Sequence, residues 1–458
     1  MSGMLSPAWA GTRAAALCDD DAVLDALLRV EAVWAETLAA GGYAEEDEAR
    51  LLHELIEDRQ AVPQLASGAL AAAAAEGGNP VIPMLSALRS VLAERGAAAP
   101  ALHRGATSQD VMDTALIITA RQTIEVTQAE ARKVCAALAE LADQHRHTLC
   151  LARTLTQHAL PTAFGLRAAS WLDGVVAASA ELAEAAEQLP LQWGGAVGTQ
   201  AALCEAVGNE AAAALTADLA ERLHLRSPRQ PWHVQRQPIL RVASALAGLL
   251  AALGKTATDV LTLQRPEIAE LAEPRSRGRG GSSTMPQKQN PVLSILVRSA
   301  AMQAPGHLGT LHHSAALSAD ERPDGAWHAE WPALRELLRL AGGAATRAAE
   351  LFEGLTVDSQ RMRRNLDAAG PALFSERLVA ALQDVHPQGK SGVQETVRDA
   401  VISGDDLLDR LRAAISADEM TPEKLEKVLS SALAPDRSLG RAEDFIDAAL
   451  IAYREARI

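Results

Sequence analysis

A chain of 458 residues is too long for one ordinary core, and the usual domain size points to about three domains. Its formal net charge of −15 argues against nucleic acid and anionic membrane surfaces as partners, yet leaves room for a local cationic site that takes a small anion. Aromatic residues are 3% against an apolar share of 48%, so the interior has to be built from Leu, Ala, Val and Ile, which favours helices. Cys18, Cys135, Cys150 and Cys204 are scattered without metal or redox spacing and read as reduced thiols. No basic start precedes an apolar leader, and no apolar run of about 20 residues is free of charge, so the expected location is the cytoplasm.

Residues 1–105 read as short helices. Asp21 to Ala40 carries Val23, Leu24, Leu27, Leu28, Val30, Val33, Trp34 and Leu38 at helical spacing, and Gly41-Gly42 closes it. Gly77-Gly78-Asn79-Pro80 is a loop before another helix from Met84 to Arg95.

From Ala106 to Leu160 there is neither Gly nor Pro. Val111, Ala115, Ile118, Ile124, Val134, Leu138 and Leu141 keep a helical period, and Asp110 and Asp113 suit its positive end. A helix of roughly 35 residues would span about 50 Å, a length that implies a bundle. Further helices are expected over Pro161–Gln188, Gly208–Leu223, Pro238–Gln264, Pro291–Met302 and Pro332–Phe352, and no alternating run argues for a sheet. Past residue 355 the helices shorten. The expected layout is all-α with three helical parts: 1–105, a long-helix bundle over 106–354 with a loop at 275–291, and a small domain over 355–458.

Three stretches have the character of a site. His103-Arg104-Gly105-Ala106-Thr107-Ser108-Gln109-Asp110 sits at the entry of the longest helix, where hydroxyls beside unpaired backbone N–H groups can seat a carboxylate. The bland alternatives are a helix cap for Thr107 and Ser108 and an ordinary loop residue for His103. Arg153 to Pro161 carries Arg153, Thr154, Thr156, Gln157 and His158, or else is a polar corner. Gly280-Gly281-Ser282-Ser283-Thr284-Met285-Pro286-Gln287-Lys288-Gln289-Asn290-Pro291 reads as a mobile arm ending in a rigid cationic platform. Such a loop can close over an anion and exclude water.

The order Gly-Ser-Ser-Xaa-Met-Pro-Xaa-Lys-Xaa-Asn-Pro resembles the signature of the fumarase/aspartase superfamily of lyases. Thr107 to Thr114 and Arg153 to Pro161 resemble its other two signature regions, in the same order. The resemblance implies a homotetramer whose active sites draw one region from each of three subunits. It implies Ser282 as the proton-transfer group beside a carboxylate, with Lys288 and Asn290 holding the enediolate. Thr107, Ser108, Arg153, Gln157, His158, Ser283, Arg322 and His103 are the expected substrate-binding residues.

Fumarases, argininosuccinate lyases and adenylosuccinate lyases carry a histidine directly after the Thr of the second region, where this chain has Leu155. The stretch resembles instead the bacterial 3-carboxy-cis,cis-muconate cycloisomerases, as do Gln230 to Arg236 and Trp327 to Trp331. Gln237 departs from the aspartate expected there. A carboxylate leaving group, pKa about 4, needs no proton to depart, so Leu155 suits lactone chemistry. The resemblance therefore implies a cycloisomerase of aromatic degradation acting on a tricarboxylate. The alternative is an adenylosuccinate-type lyase with its histidine moved to His158. No cofactor is expected, and His328 and Glu330 lack a third ligand at metal spacing, so no metal is expected either.

Overall fold

The computed structural model describes residues 3–281, 284–285 and 287–458. Its frame is five long helices: Ser108–Gln144, Phe164–Glu187, Gln237–Leu263, Val292–Ala316 and Gly325–Glu353. The first, third and fifth start together, because Asp113 accepts from both Arg236 and Trp327. The second starts where the first ends, with the Phe164 N–H on the Thr148 carbonyl. The fourth returns alongside the third, its start held by Glu273, whose carboxylate accepts from the Leu293 and Ser294 N–H groups at 3.0 and 2.8 Å.

Small residues set how closely these helices approach. A Cβ on Gly254 would meet Ala301 at 2.4 Å, and one on Gly342 would meet Ala14 at 2.2 Å. Ala and Gly along the seams thus replace the missing aromatics: backbones come close, and dispersion contacts accumulate from many small groups. The Gln237–Leu263 helix is apolar and long enough to cross a membrane by composition alone, but its stripe from Ile239 to Leu263 is buried in the bundle.

The N-terminal helices Asp20–Ala40, Glu46–Glu57, Ser67–Gly77 and Val81–Glu94 share one apolar core with the bundle. A second cluster, from Phe374 to Ala432, belongs to the short helices near the C-terminus. The last helix, Ala442–Glu455, returns to the bundle through Ile446, Ala449 and Leu450.

The all-helical expectation holds in outline, with two differences. Prolines do not bound two of the helices as read: Val292–Ala316, capped by Pro291 as expected, runs on past Met302 through Pro305, and Gly325–Glu353 begins seven residues before Pro332. Packing on neighbouring helices outweighs the one hydrogen bond each proline removes. The chain also contains strands where none were expected. Leu149–Thr154 and Gln157–Ala163 form an antiparallel hairpin, and Leu271–Ala272 pairs with Thr356–Val357. The hairpin turn is built by Leu155 and Thr156 at φ +49° and +70°, which no Gly or Asn announces in the sequence.

Candidate active site

The first region is held by a buried carboxylate. Asp110 is fully buried and accepts from the Thr107 N–H at 3.0 Å, the Gly194 and Gly195 N–H groups at 2.8 Å each, and His233 Nε2 at 2.8 Å. One side chain thereby fixes the turn entering the long helix, the 194–195 loop and the 233 loop against one another. Arg322 donates to the Thr107 hydroxyl at 2.7 Å, and Ser108 follows, half-buried, as the first residue of the helix. His103 is turned away into a structural contact: its N–H and Nδ1 meet the buried Glu31 carboxylate at 2.9 and 2.7 Å.

A second network lies one helical turn further in. Arg236 bonds both oxygens of Asp113, at 2.7 and 3.0 Å, and reaches both oxygens of Glu330. Trp327 Nε1 donates to Asp113 at 2.8 Å, and the Arg236 guanidinium lies 4.6 Å from the centre of the Trp232 ring. Burial pulls the Arg236 pKa down, but the two carboxylates outweigh it and hold it above its ordinary value. Burial pushes the Glu330 carboxyl up, against the pull of Arg236. The 230–236 and 327–331 stretches thus meet as a scaffold behind the first region. His328 Nε2 lies 2.8 Å from the Gly78 carbonyl, a contact that ties the fifth helix to the 77–80 loop.

The second region is the hairpin. Arg153 pairs with His158, and Thr154 with Gln157. Neighbouring residues of a strand face opposite ways, so Gln157 and His158 lie on opposite faces of the hairpin. Arg153 and His158 line a cleft of about 890 Å³ together with Arg167, Lys255, Asp259 and Asn365 of the same chain. Thr154 and Gln157 stand on the other face beside Leu155, which is 95% exposed at the tip, and Thr154 to His158 are all exposed. Arg153 also donates to the buried Glu270 at 3.1 Å, which anchors the hairpin.

In the third region, Ser282 and Ser283 lie outside the described residues, as does Pro286. The base of the loop is a short antiparallel bridge between Gly281 and Gln289, with the Asn290 N–H on the Gly280 carbonyl at 2.8 Å. Gly280 has φ +70°, and a Cβ there would meet the Asn290 carbonyl at 2.5 Å, so only glycine fits. Arg279 is ion-paired with Glu350, which pins the loop to the fifth helix. Lys288 is exposed and Asn290 half-buried.

The first and second regions do not meet within one chain. The first lies at the start of the 37-residue Ser108–Gln144 helix and the hairpin just past its end, about 55 Å away at 1.5 Å per residue. Among the described residues, Arg322 is the one expected binding residue bonded to Thr107 from outside the first region. Sequence reasoning missed Asp110, Asp113, Gly194, Gly195, His233 and Arg236 as the groups that hold the first region in shape. Asp110 and Asp113 were legible only as helix-start carboxylates.

A bundle of five long helices carrying these segments at its two ends defines a class. A family model described as a lyase matches residues 20–306, and the chain belongs to that family, within the fumarase/aspartase superfamily. Among individual relatives, the chain is 43% identical to the nitrosuccinate lyase of Streptomyces davaonensis, over 98% of this chain and 94% of that protein. It is 37% identical to the 3-carboxy-cis,cis-muconate cycloisomerase of Bradyrhizobium diazoefficiens, over 93% of each. The crystal structure of the 3-carboxy-cis,cis-muconate lactonizing enzyme from Pseudomonas putida matches with a TM-score of 0.87 at 30% identity, covering 99% of both chains.

Proposed function

We propose that this lyase makes or breaks a bond one carbon away from an enediolate carbon, and that its leaving group departs as a weakly basic anion without being protonated. The observation that carries this is Leu155. It stands exposed at the hairpin tip, between Thr154 and Gln157, where the histidine-bearing lyases of the superfamily have an imidazole. An alkyl group there cannot protonate a departing amine or hydroxide.

In the elimination direction, Ser282 takes the proton from the carbon next to a substrate carboxylate. The electron pair enters the carboxylate as an enediolate, held by Lys288 and Asn290. The pair then returns to form the carbon–carbon double bond as the neighbouring bond breaks and the leaving group departs with its electrons. Oriented donors in a dry site make the doubly charged intermediate accessible. Thr107, Ser108 and Arg322 seat a carboxylate at the helix start. Completing the site takes the hairpin and the signature loop from other copies, in a homotetramer.

The substrate reading we put first is interconversion of 3-carboxy-cis,cis-muconate and 4-carboxymuconolactone, in which the leaving group is a carboxylate of the substrate itself. It is supported by the end-to-end likeness to the Pseudomonas putida enzyme and by the match of the 153–161 stretch. The 43% identity to nitrosuccinate lyase favours a second reading, elimination of nitrite from nitrosuccinate, by the same steps. An adenylosuccinate-type reaction needs His158 as acid, and His158 shares the face of Arg153, opposite Gln157, which weighs against it.

The test is to incubate the purified protein separately with 3-carboxy-cis,cis-muconate, nitrosuccinate and adenylosuccinate, and to follow ultraviolet absorbance. Turnover of one of the first two, lost in Ser282→Ala with the oligomer intact, is expected. Turnover of adenylosuccinate alone, or full activity of Ser282→Ala, would sink the reading.

A further inference from the structure

A cavity of about 430 Å³ lies behind the first region, between the N-terminal helices and the start of the fifth bundle helix, and touches that region only through Met112. Its walls include Leu24, Leu27, Leu70, Met112 and Leu116, with Trp331, Arg335 and Arg339 on one side. The size falls within the range of small-molecule sites, roughly 300–1,000 Å³. Three of its lining residues carry a buried N–H without a partner among the described residues: Trp331 Nε1, Arg335 Nε and Arg339 Nε. Arg339 is 9% exposed as a residue, and leaving such a buried donor unpaired disfavours the empty site.

The remaining guanidinium contacts are accounted for. Arg335 meets Asp20 at 2.7 Å, Arg339 donates to the Cys18 carbonyl at 2.7 Å and lies 3.7 Å from one Glu336 oxygen, and the other Glu336 oxygen accepts from Trp9 Nε1 at 2.6 Å. Burial lowers the Arg339 pKa, and the neighbouring Arg335 cation lowers it further. What the site lacks is an acceptor for these three N–H groups, at the edge of an apolar chamber.

We propose that this cavity binds a small carboxylic acid with an apolar body. The carboxylate takes the Trp331, Arg335 and Arg339 donors, and the body fills the space against Leu24, Leu27, Leu70 and Met112. The site is a separate one from that of the proposed reaction, and it is linked to the first region. Trp331 packs edge-on against Trp327 at 4.6 Å, and Trp327 holds Asp113. An occupant therefore touches the scaffold that shapes the Thr107 turn.

The experiment is calorimetric titration of the full-length protein with benzoate and with its neutral isostere benzamide. Benzoate is expected to bind at least about tenfold more tightly, since hydrogen bonds to a charged acceptor are the stronger ones. Arg335→Met and Ala74→Phe, the second of which fills the chamber wall without removing a charge, should each weaken benzoate about tenfold or more. Lys288→Met should leave it unchanged. The proposal is overturned by equal binding of the two probes, by no binding at millimolar concentration, or by benzoate binding lost in Lys288→Met and retained in Arg335→Met. None of these readouts depends on turnover, so they stand apart from the test of the reaction.

Discussion

Arg322 reaches back across 215 residues to place an N–H 2.7 Å from the Thr107 hydroxyl oxygen. The oxygen accepts from Arg322; in the proposed reaction the hydroxyl proton goes to a substrate oxygen, and the guanidinium supplies the charge behind it. Arg322→Met is expected to lower kcat/KM about 100-fold, or ~2.7 kcal/mol, and Thr107→Val by a similar factor. The double variant should be little worse than either single one, because the two groups act as a unit. Additive losses would show that they bind separate parts of the substrate.

Stability rests heavily on Arg236. It is buried between Asp113 and Glu330, and its removal would leave two carboxylates in the interior without a counter-charge. Arg236→Met should therefore cost about 3–5 kcal/mol at pH 7 in urea unfolding. Burial already holds the Glu330 carboxyl above its ordinary pKa. A carboxyl raised in the folded state favours folding at low pH and loses that advantage as pH rises through its folded pKa. The deficit of the variant should shrink between pH 7 and pH 5, and a deficit that grows on acidification would contradict the assignment.

Much of this molecule could be read from its sequence, and the reasons differ by region. The long helix was plain because a stretch without Gly or Pro kept its apolar period, and it runs from Ser108 to Gln144. The hairpin was hidden because Leu155 and Thr156 adopt positive φ without the residues that normally signal such a turn. That one omission also concealed the facing of the second region: grouped by proximity, Arg153, Gln157 and His158 seemed one set, whereas strand alternation splits them. The role of Asp110 was illegible for another reason. Its partners Gly194, Gly195 and His233 lie 84, 85 and 123 residues away, and no local pattern links them.

The split across the hairpin can be tested directly. Gln157 shares one face with Thr154, while His158 lines the cleft of its own chain. Gln157→Ala should reduce kcat about 10- to 100-fold with an unchanged Tm. His158→Ala should change kcat less than about threefold. The reverse pattern would mean that the cleft face, with His158 as proton donor, is the working one, and would revive a histidine-dependent lyase reaction.

The thiols make a last prediction, about alkaline pH. Burial pushes the Cys135 thiol up to about 12 and Cys150 up to about 11, and it also raises Cys18, while Cys204 is only partly buried. Because the thiolate is the reactive form, iodoacetamide at pH 8 should label Cys204 first in the native protein, and the other three only after unfolding. A thiol raised in the folded state stabilises fully below its unfolded value, near 9, and the contribution disappears as pH climbs to 11–12. The unfolded chain ionises these thiols first, which draws the equilibrium towards unfolding. Tm should thus fall from about pH 9 upward, and Cys135→Ala should flatten that fall while costing some packing at pH 7. Equal labelling of all four cysteines in the native state, or an alkaline Tm profile indifferent to Cys135→Ala, would show that burial does not govern them.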